Sequence, residues 1–275
     1  MQHRHHFSPG IYDGLDEESY LHARGVSNSD LRSFSMSPLH YQRSLLAPPI
    51  ETDAMLIGKL LHRAILEPAR FSEGVSHFVK PEGMKFSTKE GKAWRDEHAA
   101  LPIIGAADDR HIAGAMRAVH AVPQAAALLA GRGSNECTVF AEHPRTGLTL
   151  RMRADRLTED GAGRPWIVDI KSCPDVRRFA LTARDLRYDV QGVFYPDVLA
   201  LAGQPFAAFV FIAVELEPTH GIHGVRLVML DEDTQSKARL LYESELDRWA
   251  ECERTGVWPG YPEDIEYLSV RRWAA

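Results

Sequence analysis

Cysteine is scarce in this chain: Cys137, Cys173 and Cys252 are the only three among 275 residues. They are far apart and odd in number, so they form neither a zinc pattern nor a disulfide framework, and they are too few for a four-cysteine iron–sulfur cluster. Long apolar runs are missing, and no stretch approaches the length of a membrane span. Met1 to His6 is polar and histidine-bearing rather than a secretory signal, so the cytoplasm is the expected compartment and no membrane is expected as a partner. Positive charge is not in excess either. Lys and Arg number 32 against 38 Asp and Glu, a net charge of -6. That sum does not favour a non-specific nucleic-acid binder, whose surface is usually basic; charge distribution matters more, and a metal site itself needs carboxylates. Internal repeats, low-complexity stretches and obvious linkers are absent too. What remains is an ordinary globular composition, 44% hydrophobic and 25% charged, with ample length for a core. The expected organisation is one domain over 1–275, mainly helical over 1–130 and sheet-containing over 131–275.

The stretch from Leu148 to Lys171 organises the rest. Leu148, Leu150, Met152 and Ala154 alternate with Thr149, Arg151, Arg153 and Asp155, a strand with Arg151, Arg153 and Asp155 on one face. Trp166, Val168 and Ile170 alternate with Ile167, Asp169 and Lys171 in a second strand, and the polar, glycine-rich Thr158 to Pro165 reads as the turn between them. Pairing of the two strands brings Asp155 close to Asp169 and Lys171. Two carboxylates with a lysine suit a hard cation with a charged helper beside it.

Taken in order, residues 1–26 are irregular, with an acidic patch from Asp13 to Glu18. Ser27 or Asn28 can cap a helix starting near Ser29, with Leu31 and Phe34 apolar; Ser37-Pro38 ends it and starts another turn, and Pro48-Pro49 closes the unit. Residues 51–67 form an amphipathic helix on Ala54, Ile57, Leu61, Ala64 and Ile65. Gly58 inside it costs ~1 kcal/mol against alanine and permits close approach of a backbone or a ligand. His62 follows at i+4 on the same face. Residues 68–105 are loop-rich, with Lys80, Lys85, Lys89, Lys92 and Arg95 interleaved with Phe78, Phe86 and Trp94. Such a segment can track a nucleic-acid strand, or be a solvated loop with a short helix over 87–100. Asp108 to Ala130 is helical, interrupted at Pro123. A strand over 136–142 pairs with 148–157. The spacing then predicts a helix over 176–202 with Tyr188, Gln191 and Tyr195 on one face, and Pro196 inside it should bend or disrupt a turn. Strands over 206–215 and 221–230, a helix over 231–255 and an aromatic tail complete the chain. The fold class is α/β (α+β), a mixed sheet flanked by helices.

Asp155, thirteen intervening residues and Asp169-Ile170-Lys171 fit D-x(n)-(D/E)-x-K. The second half lies on an apolar strand, where a buried Asp and Lys cost several kcal/mol unless paired or metal-bound. The set resembles the PD-(D/E)XK nuclease superfamily, with its restriction-endonuclease-like core, and within it the RecB-like and RecE-like group. Gly58-x-x-x-His62 resembles that group's first-helix histidine motif, Asp155 its metal-binding aspartate, Asp169-Ile170-Lys171 its D-x-K strand and Gln191-x-x-x-Tyr195 its Q-x-x-x-Y helix. The likeness is nearest to the nuclease domain of RecE-type exonucleases (exodeoxyribonuclease VIII). It is carried also by Ser27-Asn28-Ser29, Ser37-Pro38, Tyr41, the LHRAILEP helix end, Glu136, Ile212 to Glu215, Trp258 to Tyr261 and a C-terminal Trp. Pro196 directly after Tyr195 departs from the pattern.

The resemblance implies metal-dependent phosphodiester hydrolysis. Asp155, Asp169 and the carbonyl of Ile170 would hold Mg²⁺ or Mn²⁺. His62 and Glu136 would complete the metal sites, and a histidine fits Mn²⁺ better. Lys171 would act on the attacking water or on developing charge, with Gln191 and Tyr195 fixing Lys171 or touching phosphate. Arg151 and Arg153 are candidate phosphate contacts or a salt-bridged strand face. The implied substrate is the ends of linear double-stranded DNA, degraded from 5′ ends. The implied assembly is a ring-like homo-oligomer working beside a RecT-like single-strand annealing protein, in recombination or phage DNA metabolism. The rival readings are a non-catalytic DNA-binding relative of the same fold and a metal-dependent hydrolase of another class.

Overall fold

The computed structural model describes residues 5–47, 52–204, 208–265 and 267. Pro48-Pro49, Phe206 and the C-terminal Trp273 lie outside them. The chain enters through strand β1 (Gly10–Tyr12) and helices α1 (Glu17–Leu21), α2 (Asn28–Met36), α3 (Pro38–Ser44), α4 (Asp53–Leu66) and α5 (Pro68–Ser72). Two short strands, β2 (Phe78–Val79) and β3 (Ile103–Ile104), flank α6 (Lys89–Glu97). Helices α7 (Ala106–Ala121) and α8 (Pro123–Ala130) follow, bent by 94° at Val122-Pro123. Then come β4 (Gly133–Glu142), β5 (Thr149–Glu159), β6 (Pro165–Cys173), α9 (Phe179–Asp185), α10 (Tyr188–Leu201), β7 (Ala208–Glu215), β8 (Val225–Val228) and α11 (Glu232–Thr255).

Six strands form one sheet in the order β1-β4-β5-β6-β7-β8. All neighbours are antiparallel except β6 and β7, which run parallel with α9 and α10 in the crossover. Helices cover both faces, and this decides the residue types of the central strands. Ile167, Phe209, Phe211 and Ala213 join α2, α10 and α11 in one core. Val168, Ile170, Val210, Ile212 and Val214 join α4 and α7 in the other. A strand covered on both sides reads as continuously apolar, which is why 208–215 carries no alternation.

The mixed sheet with an N-terminal helical portion is as expected, with several local differences. The N-terminal segment also supplies β1 to the sheet edge, and the basic segment contains a two-stranded parallel pair. The hairpin turn is shorter than expected, because Thr158 and Glu159 still pair with Trp166 and Pro165. The strand expected over 221–230 is confined to 225–228; Gly221, at φ 79°, belongs to a turn closed between Thr219 and Ile222. The stripe of α4 is also displaced: Ala54 is exposed, and Leu60, Leu61, Ala64 and Ile65 are buried.

The helix expected over 176–202 is broken. A 3-10 turn (Val176–Arg178) and α9 end at Leu186, and Arg187 takes a left-handed conformation, φ 59°. Neither glycine nor proline marks this break. Arg187 is held there by a bidentate pair to the buried Glu245 of α11, at 2.8 and 2.7 Å. Pro196, by contrast, does not interrupt α10. It removes one N–H from the ladder, but Val190 through Pro196 are all buried, so packing holds the helix on course. The clamp on the next residue helps: Asp197 accepts from Arg239 at 2.7 and 2.9 Å and from Tyr242 at 2.5 Å.

Ser27 is the N-cap of α2, in a capping box with Asp30. Ser37 caps α3, with Pro38 in its first turn. The aromatic tail packs back: Trp258 meets Phe34, Tyr41 and Trp249, and the Leu39 amide donates to the Pro259 carbonyl.

Removing one partner of a buried ion pair strands the other charge. Glu245→Ala is therefore expected to destabilise the fold by about 3–5 kcal/mol, measured by urea denaturation. A change under 1 kcal/mol would show that the pair does not hold the α9–α10 break.

Candidate active site

Strands β5 and β6 pair only from Arg156–Val168 to Glu159–Pro165. Beyond that they separate, and the edge of β5 vacated by β6 is taken up at its far end by Val26. The Val26 amide donates to Thr149 O, and the Arg151 amide to Val26 O. Gly25 permits this approach: at φ 131° a Cβ there would stand 3.2 Å from Thr149 O. The site lies in the fork between.

At the apex of the fork, Asp155 Oδ2 accepts the backbone amide of Ile170 at 2.7 Å. His62 of α4 approaches the same oxygen, Nδ1 at 3.4 Å. Asp169 points to the other side of the sheet. Its Oδ2 accepts from Gln191 Nε2 of α10 at 2.6 Å. Its Oδ1 lies 2.5 Å from Lys171 Nζ but outside hydrogen-bonding geometry, so it is a buried acceptor without a hydrogen-bond partner. Lys171 rests over the ring of Tyr188, 4.6 Å from its centroid. Tyr195 is buried one helical turn beyond Gln191. Pro196 thus leaves Tyr195 buried on the same unbroken helix as Gln191, the residue that fixes Asp169.

Glu136 and Asp155 interrupt the β4–β5 ladder between the Asn135–Arg156 and Cys137–Ala154 pairs, and Glu136 has φ 54°. A non-glycine residue in that region is uncommon, and such strain clusters at functional sites. Its carboxylate pairs with Arg153 at 2.7 Å. Gly58, one turn before His62, has nothing within 4 Å of an added Cβ, so no backbone approaches it closely.

The charges respond to one another. Burial pushes the Asp169 carboxyl well above its usual range, Lys171 opposes this, and the Asp155 charge adds to it. Burial would raise Asp155 as well, but the charge and hydrogen bond of His62, with Lys171 and the Ile170 amide, bring it below the ordinary value. For His62 and Lys171, burial disfavours the charged form; the carboxylates outweigh it and raise both. Glu136 is raised by burial and by Asp155, against Arg153.

Among the described residues, no three His, Cys, Asp or Glu side chains form a ready-made ligand set. The donors nonetheless fit a hard divalent cation. The buried Asp169 Oδ1 has only the Lys171 ammonium beside it, and Asp155 has only His62 and Lys171 as opposing charges.

Arg151 and Arg153 are not free for phosphate. Arg151 is buried, donates to Gly25 O and Tyr20 O and pairs with Asp30 at 3.1 Å. Arg153 is taken by Glu136 and Leu15 O. The strand face is salt-bridged, as one reading had it, but covered rather than exposed. Glu215 is likewise structural, accepting from the Val176 and Gly224 amides at 3.1 Å each. Tyr188 is a residue of the site to which the sequence reading gave no role; its i−3 spacing from Gln191 was the signal. Arg32 of α2 is exposed and its charge acts on Tyr188, but nothing in the pattern of α2 marked it.

The forked sheet, with the D-x-K strand at its centre, defines the PD-(D/E)XK class of fold. The chain belongs to the PDDEXK-like domain family of unknown function DUF3799, which matches residues 27–271. The fold is also similar to the crystal structure of a Eubacterium rectale protein named "Putative exonuclease". The TM-score is 0.64 at 13% identity, over 94% of this chain and 96% of that one. No curated protein sequence matches the chain. Among the described residues no single helix is long and apolar enough to cross a membrane.

A cation held by the native fork and not by the unfolded chain stabilises the protein by about 2.7 kcal/mol at 100 times its dissociation constant. Mg²⁺ or Mn²⁺ is expected to raise the melting temperature of the wild type and not that of Asp155→Asn or Asp169→Asn. An equal rise in all three would remove the fork as the site.

Proposed function

We propose that the protein is a metal-dependent exonuclease that hydrolyses phosphodiester bonds at the ends of linear double-stranded DNA. The observation that carries this reading is that the Ile170 amide ties Asp155 to the strand that carries the Asp169–Lys171 pair. The family supports a nuclease fold. The exonuclease activity, attack from 5′ ends, a ring-like oligomer and a single-strand annealing partner rest on the RecE-type resemblance of Gly58–His62, the D-x-K strand and Gln191–Tyr195.

Asp155 and Asp169 would hold Mg²⁺ or Mn²⁺, with His62, Glu136 and the Ile170 carbonyl as further donors. The cation would supply an acidified water and neutralise charge on the leaving oxygen. The chain's own part is preorganisation. The Ile170 amide fixes Asp155 by one oxygen, and Gln191 fixes Asp169 by one oxygen. Tyr195 would support Gln191 from one turn along the same helix. Lys171 is kept protonated by the two carboxylates. Its ammonium, seated on Tyr188, can donate to a non-bridging phosphate oxygen as charge builds there, or orient the attacking water. Glu136 would join when Arg153 releases it.

The test is digestion of end-labelled linear duplex DNA with Mg²⁺ or Mn²⁺, beside a closed circular control. Lys171→Ala is expected to lose about 10²–10³-fold in rate while keeping its fold by circular dichroism. Equal cleavage by the variant and the wild type would refute the assignment, and cleavage of the circle would refute the requirement for an end.

A further inference from the structure

A groove of about 500 Å³ opens beside the fork, between α4 and the β2–β3 pair. Two of its lining residues neighbour site residues along the chain: Ser172 follows Lys171 on β6, and Gly58 stands one turn before His62 on α4. Gly58 adds nothing to the groove wall, since a Cβ there would project into open space. The walls are apolar, with Ile57 and Ile104, and the aromatic side chain of Phe86 lines the cavity.

Phe86 is held in place. The turn before α6 is capped by Thr88, whose hydroxyl oxygen accepts the Gly91 amide at 3.1 Å. Gly91 lets that turn lie against the helix, because a Cβ there would come 2.1 Å from Lys85 O. Trp94 stacks behind Phe86 at 17° between the rings. Lys80 stands over the Phe86 ring, 5.3 Å from its centroid. Its backbone is pinned by a hydrogen bond that its amide donates to Ile104 O at 2.8 Å.

The charges select what enters. Asp53 and Asp108 also line the groove. Two carboxylates repel a phosphate, yet they accept hydrogen bonds from the amino edge of a base. Among the described residues, Lys80 is the one cation of the lining, and it stands at the aromatic face. An apolar slot with acceptors at its wall and one lysine fits a nucleobase inside and its phosphate at the lysine.

We propose that this groove is a subsite for a single unstacked nucleotide next to the scissile phosphate, its base on Phe86 and its phosphate at Lys80. The inference rests on the nuclease reading above. A base taking the ring face displaces the Lys80 ammonium towards the backbone. The groove thereby turns a duplex end into a splayed end at the fork, which makes the substrate of the site a flipped-out terminal nucleotide.

The test compares cleavage of linear duplexes with and without one abasic nucleotide, placed in turn at each of the first positions from the labelled end. On normal DNA, Phe86→Ala is expected to cut about ten-fold more slowly than the wild type, the effect of one base–aromatic stack. At one abasic position the wild type should slow by a similar factor, and there the two proteins should become equal. Phe86→Leu, which keeps the apolar volume, should behave like Phe86→Ala. Gly58→Leu, which fills the groove, should also slow cleavage without lowering the melting temperature. Overturning results are a Phe86 effect that persists undiminished at every abasic position, or no Phe86 effect at all. A wild type that cuts DNA with either pattern refutes the groove alone; a wild type that cuts no DNA refutes the nuclease reading with it.

Discussion

The hydrogen bond from the Ile170 amide to the Asp155 carboxylate is the constraint on which the site depends. It stands where β5 and β6 stop pairing, so a side chain takes a donor that a continued ladder would have given to a carbonyl. A buried amide needs an acceptor, and one carboxylate oxygen supplies it without closing the sheet. The strands can then part. Asp155 serves one face with His62, Asp169 serves the other with Gln191, and Lys171 stands beyond them. A fully zipped hairpin would have used the same sequence to place the two aspartates side by side in a ladder with no room between.

This explains which parts of the site are legible in the sequence. Strand alternation places Asp155, Asp169 and Lys171 where they can meet, and helical spacing puts Gln191 and Tyr195 on one face, because both depend on short-range geometry; it is the resemblance to the PD-(D/E)XK family that joins them into a candidate site. The fork itself has no local signature. It requires Val26, from more than a hundred residues upstream, to occupy the vacated edge of β5. Burial of Arg151 is hidden for the same reason, since Tyr20, Gly25 and Asp30 all come from the N-terminal segment. The two-residue strands β2 and β3 are too short to show a period. The break at Arg187 bears no turn residue, because an ion pair to a distant helix, rather than backbone preference, holds it.

The N-terminal segment is therefore part of the half that carries the candidate site. Val26 is bonded to β5, and the next residue, Ser27, caps α2 with Asp30, which also receives Arg151. One short run joins the rim of the fork, the start of a helix and a buried arginine. A capping serine here does more than end-effect chemistry: it sets where α2, with Arg32, stands relative to Tyr188 and Lys171.

The left-handed residue between α9 and α10 has a mechanical meaning. Because the helix is cut there, α10 is not steered by the helix before it. Its direction is set by α11, which grips it at Arg187 through Glu245 and at Asp197 through Arg239 and Tyr242. Gln191 lies between the two grips and holds Asp169. A 24-residue helix with no side chain in the fork thus works as the tiller of its central carboxylate.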